Sequence, residues 1–212
     1  MKTTLRHLFQ LSLCMLLLAS VASANPTAFE EAQRSGEDVP GGSLHWTFRW
    51  DGKPVTVNTD GKGSVDGKEF QVPLNSTRLT ARLFHAETDG DLLLLVEETD
   101  EESGAGKLVR FTKKTMKPKW TCSLPGINVG PGLVDGKSAY LSARATAMRV
   151  NLQTGQWDWR KTNLNRTDES TAYRFNAFEV PTLDGDNVTF PEAGATGSIT
   201  FKKADGEIVE IR

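Results

Sequence analysis

Cysteine is nearly absent from this sequence: there are two in 212 residues, Cys14 and Cys122. Histidine occurs three times and tyrosine twice. After residue 24 no apolar run approaches the ~20 residues that cross a bilayer as a helix. After residue 43 no segment carries a helical period, and no Lys/Arg-rich cluster stands out. Each absence closes an option. With Cys14 in a removable leader, Cys122 has no partner and no intrachain disulfide can form. His7, His45 and His85 show no metal-ligand spacing. The lack of a basic patch excludes a nucleic-acid partner. There is no G-x-S-x-G elbow and no glycine-rich phosphate loop between strand and helix.

The first 24 residues, MKTTLRHLFQLSLCMLLLASVASA, read as a secretory signal peptide. Lys2 and Arg6 form the basic start, Leu8 to Val21 the apolar stretch, and Ala22-Ser23-Ala24 a small-x-small cleavage site. Cleavage is expected between Ala24 and Asn25. Cys14 has the bulky Leu13 before it and lies inside the apolar stretch, which speaks against lipidation. Removing the leader leaves 188 residues, enough for one domain or one compact repeat array, and moves the formal charge from −2 to about −4. The mature chain is expected to be exported, periplasmic or secreted, and not to span a membrane.

Residues 25–43 begin with a helix-compatible piece and end on the Pro40-Gly41-Gly42 breaker, so they read as a lead-in or linker. Residues 44–212 read as one all-β domain. LHWTFRW (44–50) alternates apolar and polar at period two. Asp-Gly pairs recur at 51, 60, 66, 89, 135, 184 and 205, and such pairs support tight hairpin turns because glycine tolerates positive φ. Short strand-like runs flank them, among them 79–84, 107–113, 119–124, 138–143, 146–152, 173–180, 187–190, 198–203 and 207–211. DLLLLVEE (91–98) should be a central strand buried on both faces.

The turns also repeat. ETDGDLLLLVEE, GLVDGKSAYLSA and PTLDGDNVTFPE each place a strand after an Asp-Gly turn, with the pairs 46 and 49 residues apart. Each is followed by a second strand–turn–strand signature: LVRFTKKTMKPKW, AMRVNLQTGQWDW and ITFKKADGEIVEI. A fourth copy fits within 44–88 in poorer register. This points to a small β-propeller or partial propeller of about four antiparallel blades; the alternative is a β-sandwich.

The stretch GPGLVDGKSAYLSARATAMRVNLQTGQWDW (130–159) resembles the repeat of the pyrroloquinoline-quinone-dehydrogenase-like (PQQ-like) propellers. Pro131, Val134, Asp135, Gly136, Tyr140, Thr154, Gly155 and Trp159 stand where that repeat wants them, and Arg149 stands where it has a small residue. The flanking copies match through Trp120 on one side and Pro181, Asp184, Gly185 and Gly206 on the other. The resemblance implies blades that stack sideways, with a tryptophan after the T-G turn packing between neighbours. Enzymes of that family carry a quinone on a larger ring with a paired-cysteine motif. This chain has neither the length nor the cysteines, so only the scaffold carries over.

No catalytic residue, cofactor or metal site is assigned. The acidic run Glu97–Glu102 reads first as a solvated hairpin tip, with a bound cation as the alternative. Cys122 reads as a buried small hydrophobe. Trp46, Trp50, Trp157 and Phe178 read first as inter-blade core, and otherwise as an exposed aromatic patch. The function expected is that of an exported, non-enzymatic binding or scaffolding protein. Its partner would be another protein or a cell-surface polymer. A small periplasmic enzyme, or an accessory subunit of an oxidoreductase complex, is the alternative.

Overall fold

The structure, a computed structural model, describes residues 25–37, 43–75, 78–99, 104–165 and 174–212. Every regular element among them is a strand, and no helix is long and apolar enough to cross a membrane. The first three strands are very short: β1 (Thr27–Ala28), β2 (Glu30–Glu31) and β3 (Gln33–Ser35). Four blades follow. The first contains β4 (His45–Trp50), β5 (Lys53–Asn58), β6 (Lys62–Val65) and β7 (Lys68–Gln71). The second contains β8 (Arg78–Thr88), β9 (Asp91–Thr99), β10 (Gly104–Phe111) and β11 (Pro118–Leu124). The third contains β12 (Leu133–Asp135), β13 (Ser138–Ala143), β14 (Thr146–Asn151) and β15 (Trp157–Thr162). The fourth contains β16 (Thr182–Asp184), β17 (Asn187–Pro191), β18 (Ser198–Lys202) and β19 (Ile208–Ile211). Within each blade consecutive strands pair antiparallel in chain order.

This is the all-β, four-bladed architecture expected. The period-two alternation explains how the blades join. In β9, Leu92, Leu94 and Val96 point into a core shared with the first blade, while Leu93 and Leu95 point into a core shared with the third. A third core lies between the third and fourth blades, around Trp159, Phe178, Phe190 and Phe201. Three cores thus join four blades in succession. None of them joins the fourth to the first among the described residues. The stack is an open arc, not two sheets face to face.

Both ends of the arc carry the same kind of row. On the first blade, Thr47, Thr56, Ser64 and Glu69 are cross-strand neighbours in sequence. On the fourth, Thr182, Thr189, Thr200 and Glu210 are, with Thr189 and Thr200 hydroxyls 2.8 Å apart. A polar outer face is what a terminal module of a stacked array needs.

Two expectations are corrected. Residues 25–35 are not a helix-compatible lead-in. They form a strap that pairs with the innermost strand of three blades in turn: β1 with β12, β2 with β8, β3 with β4. The strap is too short in each contact to be read as a strand from local sequence; it is extended because sheet edges supply its hydrogen bonds. Phe29 inserts into the core between the second and third blades and Ala32 into that between the first and second. Of the run 173–180, the described residues 174–180 form no strand either. Phe175 O accepts from Ala145 N, Ala177 O from Ala193 N, and Glu179 N donates to Pro191 O. Its backbone partners are thus shared between two blades, so no ladder forms, although Phe175 and Phe178 are buried and stacked.

Candidate functional site: a cleft on the loop face

Antiparallel order sends successive connections to opposite ends of the blades. One end holds the turns from first to second and from third to fourth strand of each blade. Six of the seven Asp-Gly pairs lie there; only Asp60-Gly61 lies at the other end. Asp51-Gly52, Asp66-Gly67 and Asp89-Gly90 have positive φ at both residues, the geometry of tight two-residue hairpins. The opposite end holds the longer connections between blades. This asymmetry places the longer, irregular connections on one face of the stacked blades, where binding groups usually reside.

A cleft of about 890 Å³ opens on that loop face. The β11–β12 loop contributes Pro125, Gly126 and Ile127; the β13–β14 turn contributes Arg144 and Ala145; the segment after β15 contributes Asn163, Arg174 and Asn176. Backbone hydrogen bonds lock these loops together. Arg144 N donates to Ile127 O at 2.8 Å, Ala145 N to Phe175 O at 2.8 Å, and Leu164 N to Ala145 O at 3.0 Å. Asn128 Nδ2 donates to Asn176 O at 3.3 Å. The bracing holds Asn128, Ala145 and Asn163 at φ of 56°, 50° and 58°. Asparagine visits this region readily; alanine does so at a cost of about 1–2 kcal/mol. Arg144 and Arg174 are exposed.

The residues of the repeat motif lie at the other end and in the seams. Pro131 is half-buried before β12; Asp135 closes β12, and Gly136, at φ 56°, opens the hairpin to β13. Tyr140 is buried, and burial pushes its hydroxyl up to about 12. Thr154 Oγ1 accepts from Gln156 N at 3.2 Å, and Gly155 adopts φ 73°. A Cβ at Gly155 would lie 2.6 Å from the Trp120 ring, and one at Gly206 would lie 2.7 Å from the Trp159 ring. Each indole therefore lies flat on the turn glycine of the next blade. Trp120 Nε1 donates to Leu152 O at 3.1 Å and Trp159 Nε1 to Lys203 O at 3.0 Å. Arg110 and Arg149 donate to the same two carbonyls, at 2.7 and 2.8 Å. Arg149 is thus half of a repeated clamp, a role visible in sequence only as the shared spacing Arg110–Trp120 and Arg149–Trp159.

The acidic run is corrected in part. Glu97 and Glu98 are not solvated: both are buried in β9. Glu97 Oε2 accepts from Val129 N at 2.8 Å, and Glu98 Oε2 accepts from Asn75 N at 2.7 Å. Adjacent residues on opposite faces of one strand thus pin the connections into and out of the second blade. Lys107 Nζ pairs with Glu98 at 3.2 Å and donates to Pro73 O. Asp100, Glu101 and Glu102 lie outside the described residues, among which no His/Cys/Asp/Glu group has metal-site geometry.

Of the four aromatics weighed as a patch, Trp46, Trp50 and Phe178 are buried, and Trp157 is exposed with Arg160 over its ring at 3.9 Å. Cys122 is buried, and burial pushes its thiol up to about 11. His45 Nδ1 lies 2.6 Å from Ser43 O. His85 stacks on Phe48 at 4.2 Å, with its Nε2 3.9 Å from Glu30 of the strap.

No protein-family model and no curated protein matches this chain. Among solved structures it is similar to BamB from Moraxella catarrhalis, at 14% identity and a TM-score of 0.46, over 80% of this chain and 49% of that one. The chain thus spans about half the length of that structure.

Proposed function

We propose that this chain is an exported, non-catalytic binding module, built on repeats related to the PQQ-like propellers, that holds another protein on its loop face. The single observation behind this reading is the braced cleft. Two connections between blades and one turn of the third blade are tied together by backbone hydrogen bonds around an open, polar space of about 890 Å³. Freezing loops before a partner arrives removes an ordering cost from binding. The relation to PQQ-like repeats rests on the seam: Gly155 under Trp120 and Gly206 under Trp159 give the T-G…W pattern a physical purpose. Export rests on the leader sequence.

Site-directed photo-crosslinking in the native host tests the reading. A photoreactive side chain at Asn163, on the cleft, is expected to give a discrete higher-mass adduct. The same group at Asp89, on the turn face, is expected to give none. Adducts of equal yield at both positions, or at neither, overturn the assignment of the loop face.

A further inference from the structure

The strap advances by a fixed step, and the steps run out one blade early. Its contacts fall at 33–35 on β4, 30–32 on β8 and 27–29 on β12. An extended chain rises about 3.3 Å per residue and packed sheets lie about 10 Å apart, so three residues carry it from one blade to the next. The last residue of a step sends its N–H to the inner strand. Ala32 N donates to Leu83 O and Phe29 N to Gly132 O, both at 2.9 Å. The same two side chains enter the core between the first and second blades and that between the second and third, in that order. The next residue in this series is Pro26, which is exposed and has no N–H to donate. The expected cleavage after Ala24 removes the chain beyond Asn25.

The fourth blade keeps the edge that the other three use. Leu183 faces Val188 across the β16–β17 hairpin as Val134 faces Ala139 across β12–β13, each one pair before the turn. On its other side Val134 pairs with Thr27. Antiparallel alternation aims the Leu183 N–H and C=O away from β17 in the same way. Among the described residues no strand but β17 pairs with β16. We infer that this edge accepts an extended segment of a partner protein, which adds to β16 as the strap adds to β12. The strap ends too soon to supply that strand, so a second protein supplies it. Its backbone bonds to Leu183 N–H and to the carbonyls of Leu183 and Pro181, the counterparts of Val134 and Gly132. One apolar side chain, in the place that Phe29 holds one seam earlier, packs beside Leu183, which is half-buried against the third core. None of these residues lines the loop-face cleft.

Amide hydrogen exchange tests this on the mature chain, with a synthetic peptide copying strap residues 27–35 as the probe. Without peptide, Leu183 is expected to exchange at least about tenfold faster than its register mate Val134. Saturating peptide should slow Leu183 by a similar factor and leave Val134 unchanged. A second variant lengthens the strap, with Pro26→Val and three added residues, Thr-Val-Thr, before Asn25. It should protect Leu183 without peptide and no longer bind the peptide. Leu183 already protected in the mature chain overturns the inference, because a segment of the chain itself then holds the edge. So does a Leu183 left unprotected by both the peptide and the longer strap. In the native host, a photoreactive side chain at Thr182 should give a discrete adduct that the longer strap abolishes. No adduct there overturns the inference, and so does one of twice the chain's mass, which would make the occupant a second copy.

Discussion

Take one cross-strand row on two neighbouring blades. On the third blade it runs Leu133, Tyr140, Arg149, Trp159. In the same register on the fourth it runs Thr182, Thr189, Thr200, Glu210. The backbones pair identically, down to the bulge beside the last pair. Only the side chains differ, and they decide whether another blade can follow. The first row presents an apolar plate and two donors aimed at one carbonyl of the next blade. The second presents hydroxyls and a carboxylate, which water satisfies. A blade therefore presents an apolar seam face or a polar, water-satisfied face according to four residues.

Breaking the seam row at its centre should produce the largest effect. Trp159 is buried against Tyr140, Phe201 and Gly206. Trp159→Ala removes the plate and leaves a cavity, at a cost of about 3–5 kcal/mol, read as a lower urea midpoint. Trp120, its counterpart one seam earlier, is only partly buried, so Trp120→Ala should cost less. Equal losses at the two positions would mean that the seams do not depend on how far each indole is enclosed.

These rows explain why some blades were legible in the sequence and others were not. The third blade carries the whole signature because its tryptophan and turn glycine serve packing and its Asp-Gly pair closes a tight hairpin. The fourth has Glu210 in the register position of Trp159, and its match is correspondingly weaker. The first is obscured because its last hairpin, β6 to β7, closes in two residues at Asp66-Gly67 and has no T-G-x-x-W. The strap escaped notice because Thr27 to Ser35 is extended only by virtue of edges far away in the chain. Glu97 and Glu98 were misjudged for a related reason. Local sequence shows five acids near a turn; that Val129 and Asn75 bring two buried N–H groups to them is a tertiary fact. The cleft was invisible, since it gathers residues from 104 to 176 through loops of no regular pattern.

A smaller effect sharpens the same comparison from the glycine side. Gly206 has φ 71° and its added Cβ would lie 2.7 Å from the Trp159 ring. Gly185 has φ 53°, but a Cβ there meets nothing within 4 Å. Gly185→Ala should therefore cost only the backbone strain, about 1–2 kcal/mol. Gly206→Ala adds displacement of the indole to that strain and should cost about 3 kcal/mol. The Trp159→Ala background separates the two contributions. There Gly206→Ala should fall to the Gly185→Ala value, because the ring that crowded it is gone. A Gly206→Ala cost unchanged in that background would show that the turn, not the contact, requires glycine.

The smallest effect lies at the strap, which among the described residues pairs with the first three blades only. Burial between Phe48 and the strap holds the His85 imidazole below its ordinary value of 6.5, and the exposed Glu30 carboxylate only partly opposes this. As pH falls through 6.5 the unfolded chain takes up the proton first, while the folded chain resists it. Stability is therefore full above 6.5 and declines as pH drops towards the lower folded value. The Glu31 carboxyl is held below its ordinary 4.5 by the hydrogen bond from Arg82, so its own loss begins only as pH falls through 4.5, below the onset for the histidine. Urea midpoints measured at intervals across that window should fall with pH in the native protein and stay level in His85→Gln. The same slope in both would assign the pH dependence to other groups and leave the strap without a titrating contact.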